Sequence, residues 1–463
     1  MAIVLSTPPY QQFYDGNGDP LSGGKVYTYS AGTTTPVATY TDQGGGTPAA
    51  NPIILDSAGR AEWWLDTAIS YKYVVANSSD VVIETIDNVT PFNASTGLSV
   101  LGSIAANTIV GNNTGSSATP VALTVLQVQN MLGTGAGNLL INGGFNIDQR
   151  LAASNSDDTY AHDCWYALTE TGAIAVSTVT GAEDGTPYMA RLTQSQASAQ
   201  RMGYAQIIEG KDCKKLRGQQ AVFNFGRYRC SASQSIRFAI LEWTGTEDSV
   251  TSDVVNDWTS STYTAGNFFL GANLTVSGVT SQTPSAATLT DGTSLVVTLG
   301  SSFNNLIVFV WTEATAAQNV TLDLSKAFIG QGAAAPVFQY LPFNSELQRC
   351  QRYAPVFAVG MDQTFCGGQC TSGTTGQLVV PFPVEMRIPP TGITVSSAAH
   401  FATFNAGGSR IQFTTLALNS TFTPSTKAAM LEFAVAAGLV AGNATVTSSQ
   451  NASGKIVFTG AEL

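Results

Sequence analysis

The chain has 463 residues and a net charge of −11, enough length for two to four domains with their own cores. Hydrophobic residues make up 44% and charged residues only 11%, against roughly 25% in an ordinary soluble domain, so Ser, Thr, Gly, Ala and Asn must cover a neutral surface. The acidic balance argues against a nucleic-acid partner, which needs clustered Lys and Arg, and no apolar run is long enough for a spanning helix or membrane insertion.

Elements in chain order begin with a turn-rich stretch, Asp15 to Gly24, whose Asp-Gly, Asn-Gly and Gly-Gly pairs suit left-handed backbone. Val26, Thr28 and Ser30 then alternate with Tyr27 and Tyr29, the period of a strand with two faces. Tyr71–Val75 and Val81–Ile86 repeat the pattern around Asn77-Ser78-Ser79-Asp80, which reads as a hairpin loop.

An ordered run of motifs covers the same segment. It comprises Phe13-Tyr14-Asp15-Gly16-Asn17-Gly18-Asp19-Pro20-Leu21-Ser22-Gly23-Gly24-Lys25, Ala31-Gly32-Thr33-Thr34-Thr35-Pro36, Asn51-Pro52-Ile53-Ile54-Leu55-Asp56 and Gly59-Arg60-Ala61-Glu62-Trp63. This run resembles the N-terminal module of tail fibres, tailspikes and other virion appendages of tailed bacteriophages. The resemblance implies that residues 1–91 form a β-domain that fixes an appendage to the particle through other phage tail, neck or baseplate proteins. The N-terminus lacks a basic region followed by a long apolar run, so no secretion signal is expected. Assembly in the host cytoplasm and release by lysis would fit.

Residues 92–137 change to small residues, and Asn107–Ala118 is similar to the linker between anchor and distal parts of phage fibres. Thr124 is a plausible N-cap for a short helix, Val125 to Leu132, stopped by Gly133. Val121, Val125, Val128 and Leu132 make one apolar stripe, to be buried on its own domain or by three copies around a symmetry axis.

Residues 138–343 open with Asn138-Leu139-Leu140-Ile141-Asn142-Gly143-Gly144-Phe145-Asn146-Ile147-Asp148-Gln149-Arg150, followed by Tyr160 and Asp163-Cys164-Trp165-Tyr166. This opening, with Arg237–Thr246, Val254–Trp258 and Leu322–Gly330 further on, resembles a jelly-roll module of phage tail and fibre proteins. The resemblance implies a carbohydrate-binding type of sandwich. Cys164 stands where that family usually has Arg, so an Asp–Arg–Trp feature does not carry over. Pro336–Pro342 and Glu346–Tyr353 resemble the family's passage to a C-terminal piece, residues 344–463, again of short strands and ending in an Ala461-Glu462-Leu463 close common in such proteins.

Candidate sites are few. Trp258, among Asn, Asp, Thr and Ser, and Trp243 offer flat apolar faces to a sugar ring, although a core position is the plain reading of Trp243 and Trp165. Among six cysteines, Cys366 and Cys370 could close a small loop or bridge subunits. His162 and Cys164 supply too few ligands for zinc, so no metal or cofactor is expected. The basic residues Lys211, Lys214, Lys215 and Arg217 read as a solvated loop. No carboxylate pair, nucleophile elbow or triad setting stands out, so no catalytic residue is assigned and an enzyme is not expected.

These readings combine into an all-β protein of serial sandwich or jelly-roll domains joined by a linker with one short helix, assembling as a homotrimer. Its expected role is structural, in the virion: a tail fibre-like appendage whose distal domains bind host surface glycans. The alternative is a neck, collar or baseplate decoration that stiffens the particle without contacting the host.

Overall fold

The computed structural model describes residues 3–6, 10–91, 105–106, 108–113, 116–124, 127–128, 137–151, 154–183, 186–404 and 407–463. The chain divides into two compact units, residues 1–108 and 109–463, both built almost wholly of β-strands.

In the first unit the predicted strands form one antiparallel sheet in the order Ile53–Ile54, Lys25–Ser30, Tyr71–Ala76 and Val82–Val89. The hairpin loop is set by Asn77, whose side-chain oxygen accepts the amides of Ser79 and Val81 at 3.0 Å. Asp80 then takes a left-handed φ of 63° and its carboxylate holds Lys25 at 2.6 Å and the Tyr27 hydroxyl at 2.5 Å. Trp63 is fully buried, edge-on to Tyr73 and stacked on Phe13. Gly59 sits at φ 66°, where an added side chain would strike the Leu21 amide and the Phe13 carbonyl. The motifs of this segment are thus its turns and its core.

At the start of the second unit, Val121 belongs to a strand, Val121–Leu123, paired with Ile109–Gly111, and does not join the expected helical stripe. The helix itself, Val125 to Leu132, lies mostly outside the described residues. At its head Thr124 and Gln127 form a capping box, the Thr124 hydroxyl accepting the Gln127 amide at 3.2 Å and the Gln127 side-chain oxygen accepting the Thr124 amide at 2.8 Å.

The body of this unit is a sandwich of two six-stranded antiparallel sheets. The first contains Ile174–Glu183, Thr186–Thr193, Thr321–Gln331, Gln220–Cys230 and Leu295–Thr298; the second contains Tyr166–Thr169, Met202–Ile208, Asn305–Thr312, Ile236–Trp243 and Leu274–Gln282. Alternation along each strand, interrupted where Gly226 faces Lys326 at φ 56°, sends Leu192, Leu324, Phe223 and Tyr228 of the first sheet against Tyr204, Phe238 and Val310 of the second.

The second sheet is buried on both faces. Its far side, carrying Tyr166, Ile207, Leu241, Phe309 and Trp311, is covered by Val254, Val255, Phe268 and Phe269 of the following loop and by Tyr353 and Leu463. This explains the near-continuous apolar run Leu306–Trp311, which a half-exposed sheet would not need.

The Asn138–Arg150 motif is a clasp across the sandwich. Asn138 donates to the Ala327 carbonyl at 2.8 Å and accepts the Leu140 and Ile329 amides. Gln149 places its backbone and side-chain N–H groups on the two oxygens of Asp163, at 2.8 and 2.6 Å. Phe145 fills the space against Trp165, with ring centroids 5.1 Å apart.

A helix, Phe343–Gln351, leads to a closed six-stranded barrel made of Thr364–Cys370, Thr375–Pro381, Ala428–Val435, Arg410–Leu418, Phe401–Phe404 and Ala444–Ser449. A three-stranded sheet, Val356–Val359, Gly454–Thr459 and Gly392–Val395, stands beside it. The basic stretch forms two helical turns, Gly210–Cys213 and Lys214–Leu216, rather than a solvated loop. Lys211 pairs there with Glu209, Lys214 with Glu247, and Arg217 donates to the Phe303 carbonyl.

Candidate functional site

Trp243 is buried at 8% exposure, donating its indole N–H to the Thr246 carbonyl at 3.0 Å, with Gly245 directly against its ring. No face remains for a sugar, because the residue caps the far core of the second sheet. Trp258 is half-buried and meets Phe268 and Phe309 edge-on at 5.8 and 6.0 Å. Its polar sequence neighbours lie outward on the covering loop, while the ring helps to close that loop over the sheet.

Cys366 and Cys370 lie on one strand of the barrel, opposite Thr447 and Gly376, and both thiols are free. Four residues of extended strand span about 13 Å, against a disulfide Cα separation of about 5.5–6 Å. The small bridged loop is therefore incompatible with this strand. Burial pushes the Cys366 thiol up to about 12. Cys164, the departure from the family pattern, is buried with a left-handed φ of 67°, and its thiol lies beside that of Cys350, which burial raises well above its ordinary range.

The chemistry gathers at a place the motifs did not flag. A pocket of about 290 Å³ lies between the clasp at Asn138–Asn146, Phe328 on the outward face of the first sheet, and the strap Pro336–Leu341 that crosses this face. Phe338 and Tyr340, two residues apart on the extended strap, project to the same side and meet edge-on at 5.0 Å. Gly144 lies directly beneath them: an added side chain would run into the Tyr340 ring at 2.6 Å and approach that of Phe338. Gly144 of the opening motif thus makes room for an aromatic wall contributed from far along the chain.

Polar groups complete the lining. Arg349 is oriented by Glu346, at 3.3 Å, and by the Leu140 carbonyl, at 3.2 Å. Asn146 and Gln339 also belong to the lining. The strap leaves apolar surface facing water, with Val337 79%, Leu341 42% and Phe343 57% exposed. A neighbouring depression of about 530 Å³, sharing Pro336 and Val337, is lined by Gln219, Gln220, Gln331 and small residues, without an aromatic or charged group. An apolar aromatic wall with a few planar hydrogen-bonding groups suits a small polar ligand with an apolar face. The sequence signal for it was the alternation of Phe338 and Tyr340 between two prolines, read above only as a passage between domains.

Among the described residues no three His, Cys, Asp or Glu side chains gather as a metal site, and no helix is long and apolar enough to cross a membrane.

No family model matches the chain, and no curated protein matches it. Among solved structures it is similar to TmCBM61 in complex with beta-1,4-galactotriose, at 8% identity and a TM-score of 0.24, over 42% of this chain and 100% of that one. A putative sugar-binding protein from Bacteroides thetaiotaomicron matches at 13% identity and a TM-score of 0.26, over 42% and 100%. The enzymatically active domain of tailspike protein 4 of bacteriophage CBA120 matches at 10% identity and a TM-score of 0.25, over 42% of this chain and 21% of that one. Likenesses this faint decide nothing about ligand or role.

Proposed function

We propose that this protein is a glycan-binding component of a tailed-phage virion appendage, acting by adhesion rather than catalysis. Residues 1–91 attach it to the particle and the second unit presents the strap pocket to sugars on the host surface. A homotrimer is the assembly proposed. The virion part of this reading is supported by the motif run from Phe13 to Trp63 and by the Asn138–Arg150 opening.

The observation that carries the glycan part is the pocket: Phe338 and Tyr340 over Gly144, with Asn146 and Arg349 beside them. A sugar ring has an apolar C–H face, which prefers an aromatic surface, and hydroxyls on its rim. A planar amide or guanidinium meets two adjacent hydroxyls with two hydrogen bonds. The size of the pocket fits one or two rings of a longer chain, at the lower end of roughly 300–1,000 Å³ ligand sites.

The test is a glycan array probed with the whole chain and two variants. Phe338→Ala should weaken binding of the tightest sugar at least about tenfold, a loss of ~1.4 kcal/mol. Trp258→Ala should leave the affinity unchanged and lower stability instead, since its ring serves the covering loop. Binding that survives Phe338→Ala but is lost with Trp258→Ala would move the site to that loop. An array with no ligand at all would remove the reading.

A further inference from the structure

Past the pocket, the same outward face of the first sheet carries a second feature. Neighbouring strands set Ser177 beside Arg191, Arg191 beside Asp323, and Asp323 beside Arg229 in one row across the sheet. Asp323 is fully buried at 0% exposure. Arg191 places Nε and Nη2 on its two oxygens at 2.7 and 2.8 Å, and Arg229 places Nε and Nη2 on one of them at 3.0 and 2.6 Å.

One arginine would neutralise this carboxylate; the second leaves a surplus positive charge in a chain of net charge −11. Each guanidinium has five N–H donors and spends two on Asp323, leaving three apiece. The two side chains are 32% and 24% exposed, so these donors reach the surface. The buried carboxylate locks both forks and so removes most of the cost of ordering them for a ligand. The next row adds the hydroxyls of Thr193 and Thr321. Asp291, beside this face, is engaged by Arg227 at 2.6 Å.

We propose that Arg191 and Arg229 form a clamp for an anionic group, a carboxylate or sulfate, carried by a polysaccharide. The clamp rests on the glycan reading of the pocket only for the kind of polymer that bears the anion. Phe328 in the pocket and Asp323 in the clamp lie on one strand and one face, five residues apart, a span of roughly 15 Å. A short run of sugar units can therefore occupy both, its ring on Phe338 and Tyr340 and its acid on the arginines.

The experiment measures binding of the whole chain to three polymers: a neutral galactan, the carboxylated polygalacturonate and the sulfated chondroitin sulfate. At least one anionic polymer should bind at least about tenfold more tightly than the neutral one, and the two anionic arms tell carboxylate from sulfate. Ser177→Glu places a competing carboxylate beside Arg191 at an exposed position and leaves the Asp323 pairs intact. It should cancel the anionic preference and leave neutral binding unchanged. If Ser177→Glu unfolds the protein, the shorter Ser177→Asp replaces it.

Equal binding of neutral and anionic polymers would overturn the clamp, as would an anionic preference that survives both acidic variants. Duplex DNA bound as tightly as the polysaccharides would also overturn it, by showing unspecific attraction to phosphate. Phe338→Ala separates the two claims. If it has no effect while Ser177→Glu does, the pocket reading falls and the clamp stands; the reverse result retires the clamp alone.

Discussion

His162 lies buried at 1% exposure between two hydroxyls. The Tyr204 hydroxyl accepts the His162 backbone amide at 2.8 Å and lies 2.7 Å from Nδ1, while the Thr178 hydroxyl lies 2.9 Å from Nε2, so both ring nitrogens have a hydrogen-bond partner. Burial holds the imidazole down to about 4, from 6.5, with Asp148 pulling weakly the other way. Between those values the unfolded chain takes up a proton that the folded chain refuses. Stability of the second unit should therefore fall as pH drops from about 6.5 to about 4, by ~1.4 kcal/mol per pH unit. Burial raises the neighbouring Asp163 carboxyl, and its protonation favours the fold as pH falls, so the test must be differential. Melting midpoints of wild type and His162→Gln, compared between pH 7 and 4.5, should converge toward the acid end. A constant gap across that range would contradict the assignment. The motif around Asp163 was legible in the sequence. The hydroxyl partners were not, because Thr178 and Tyr204 come to the ring from strands of the two different sheets.

At the scale of elements, glycines misled the reading where backbones meet. Cys366-Gly367-Gly368-Gln369-Cys370 looked like a loop because Gly-Gly ordinarily marks one. Within the barrel it is a strand, and Gly368 is needed because a side chain there would collide with the Gln377 carbonyl of the adjacent strand. Gly368→Ala should cost the barrel ~2 kcal/mol, seen as a lower denaturant midpoint with the slope unchanged; an unchanged midpoint would show that the strands can part without cost. The strap was missed for a related reason. Period-two alternation in Phe338 and Tyr340 is visible, but what makes it a pocket wall is the bare surface of Gly144, distant in sequence. Strands that follow period two were legible throughout, as at Lys25–Ser30 and Tyr71–Ala76. The doubly buried second sheet shows no alternation, and its covering loop with Trp258 therefore read as exposed.

Across the whole molecule, the sandwich and the barrel are tied more closely than a boundary at residues 343–344 suggests. Glu209 of the sandwich is buried and accepts from Arg352 at 2.9 Å and from the Tyr353 hydroxyl at 2.8 Å. Arg150 pairs with Glu462, Arg387 holds the Ala461 and Glu462 carbonyls, and Leu463 shares a core with Tyr166 and Tyr353. Residues 109–463 should accordingly unfold in one transition, separate from that of residues 1–108. Arg352→Ala, which leaves the buried Glu209 with only the exposed Lys211 as a charged partner, should lower that single transition by ~2 kcal/mol without splitting it. Calorimetry in which the barrel melts apart from the sandwich would refute the coupling.

The strap is held against the sandwich by Tyr340 and Phe338 packed on Gly144, which gives the pocket a defined shape, as a binding site for sugars requires. The most direct measurement is a structure of the whole chain with the tightest-binding oligosaccharide from the array. A sugar ring should lie against Phe338 and Tyr340, hydrogen-bonded to Asn146 or Arg349. A sugar seated instead on the loop around Trp258, with the strap pocket empty, would contradict it.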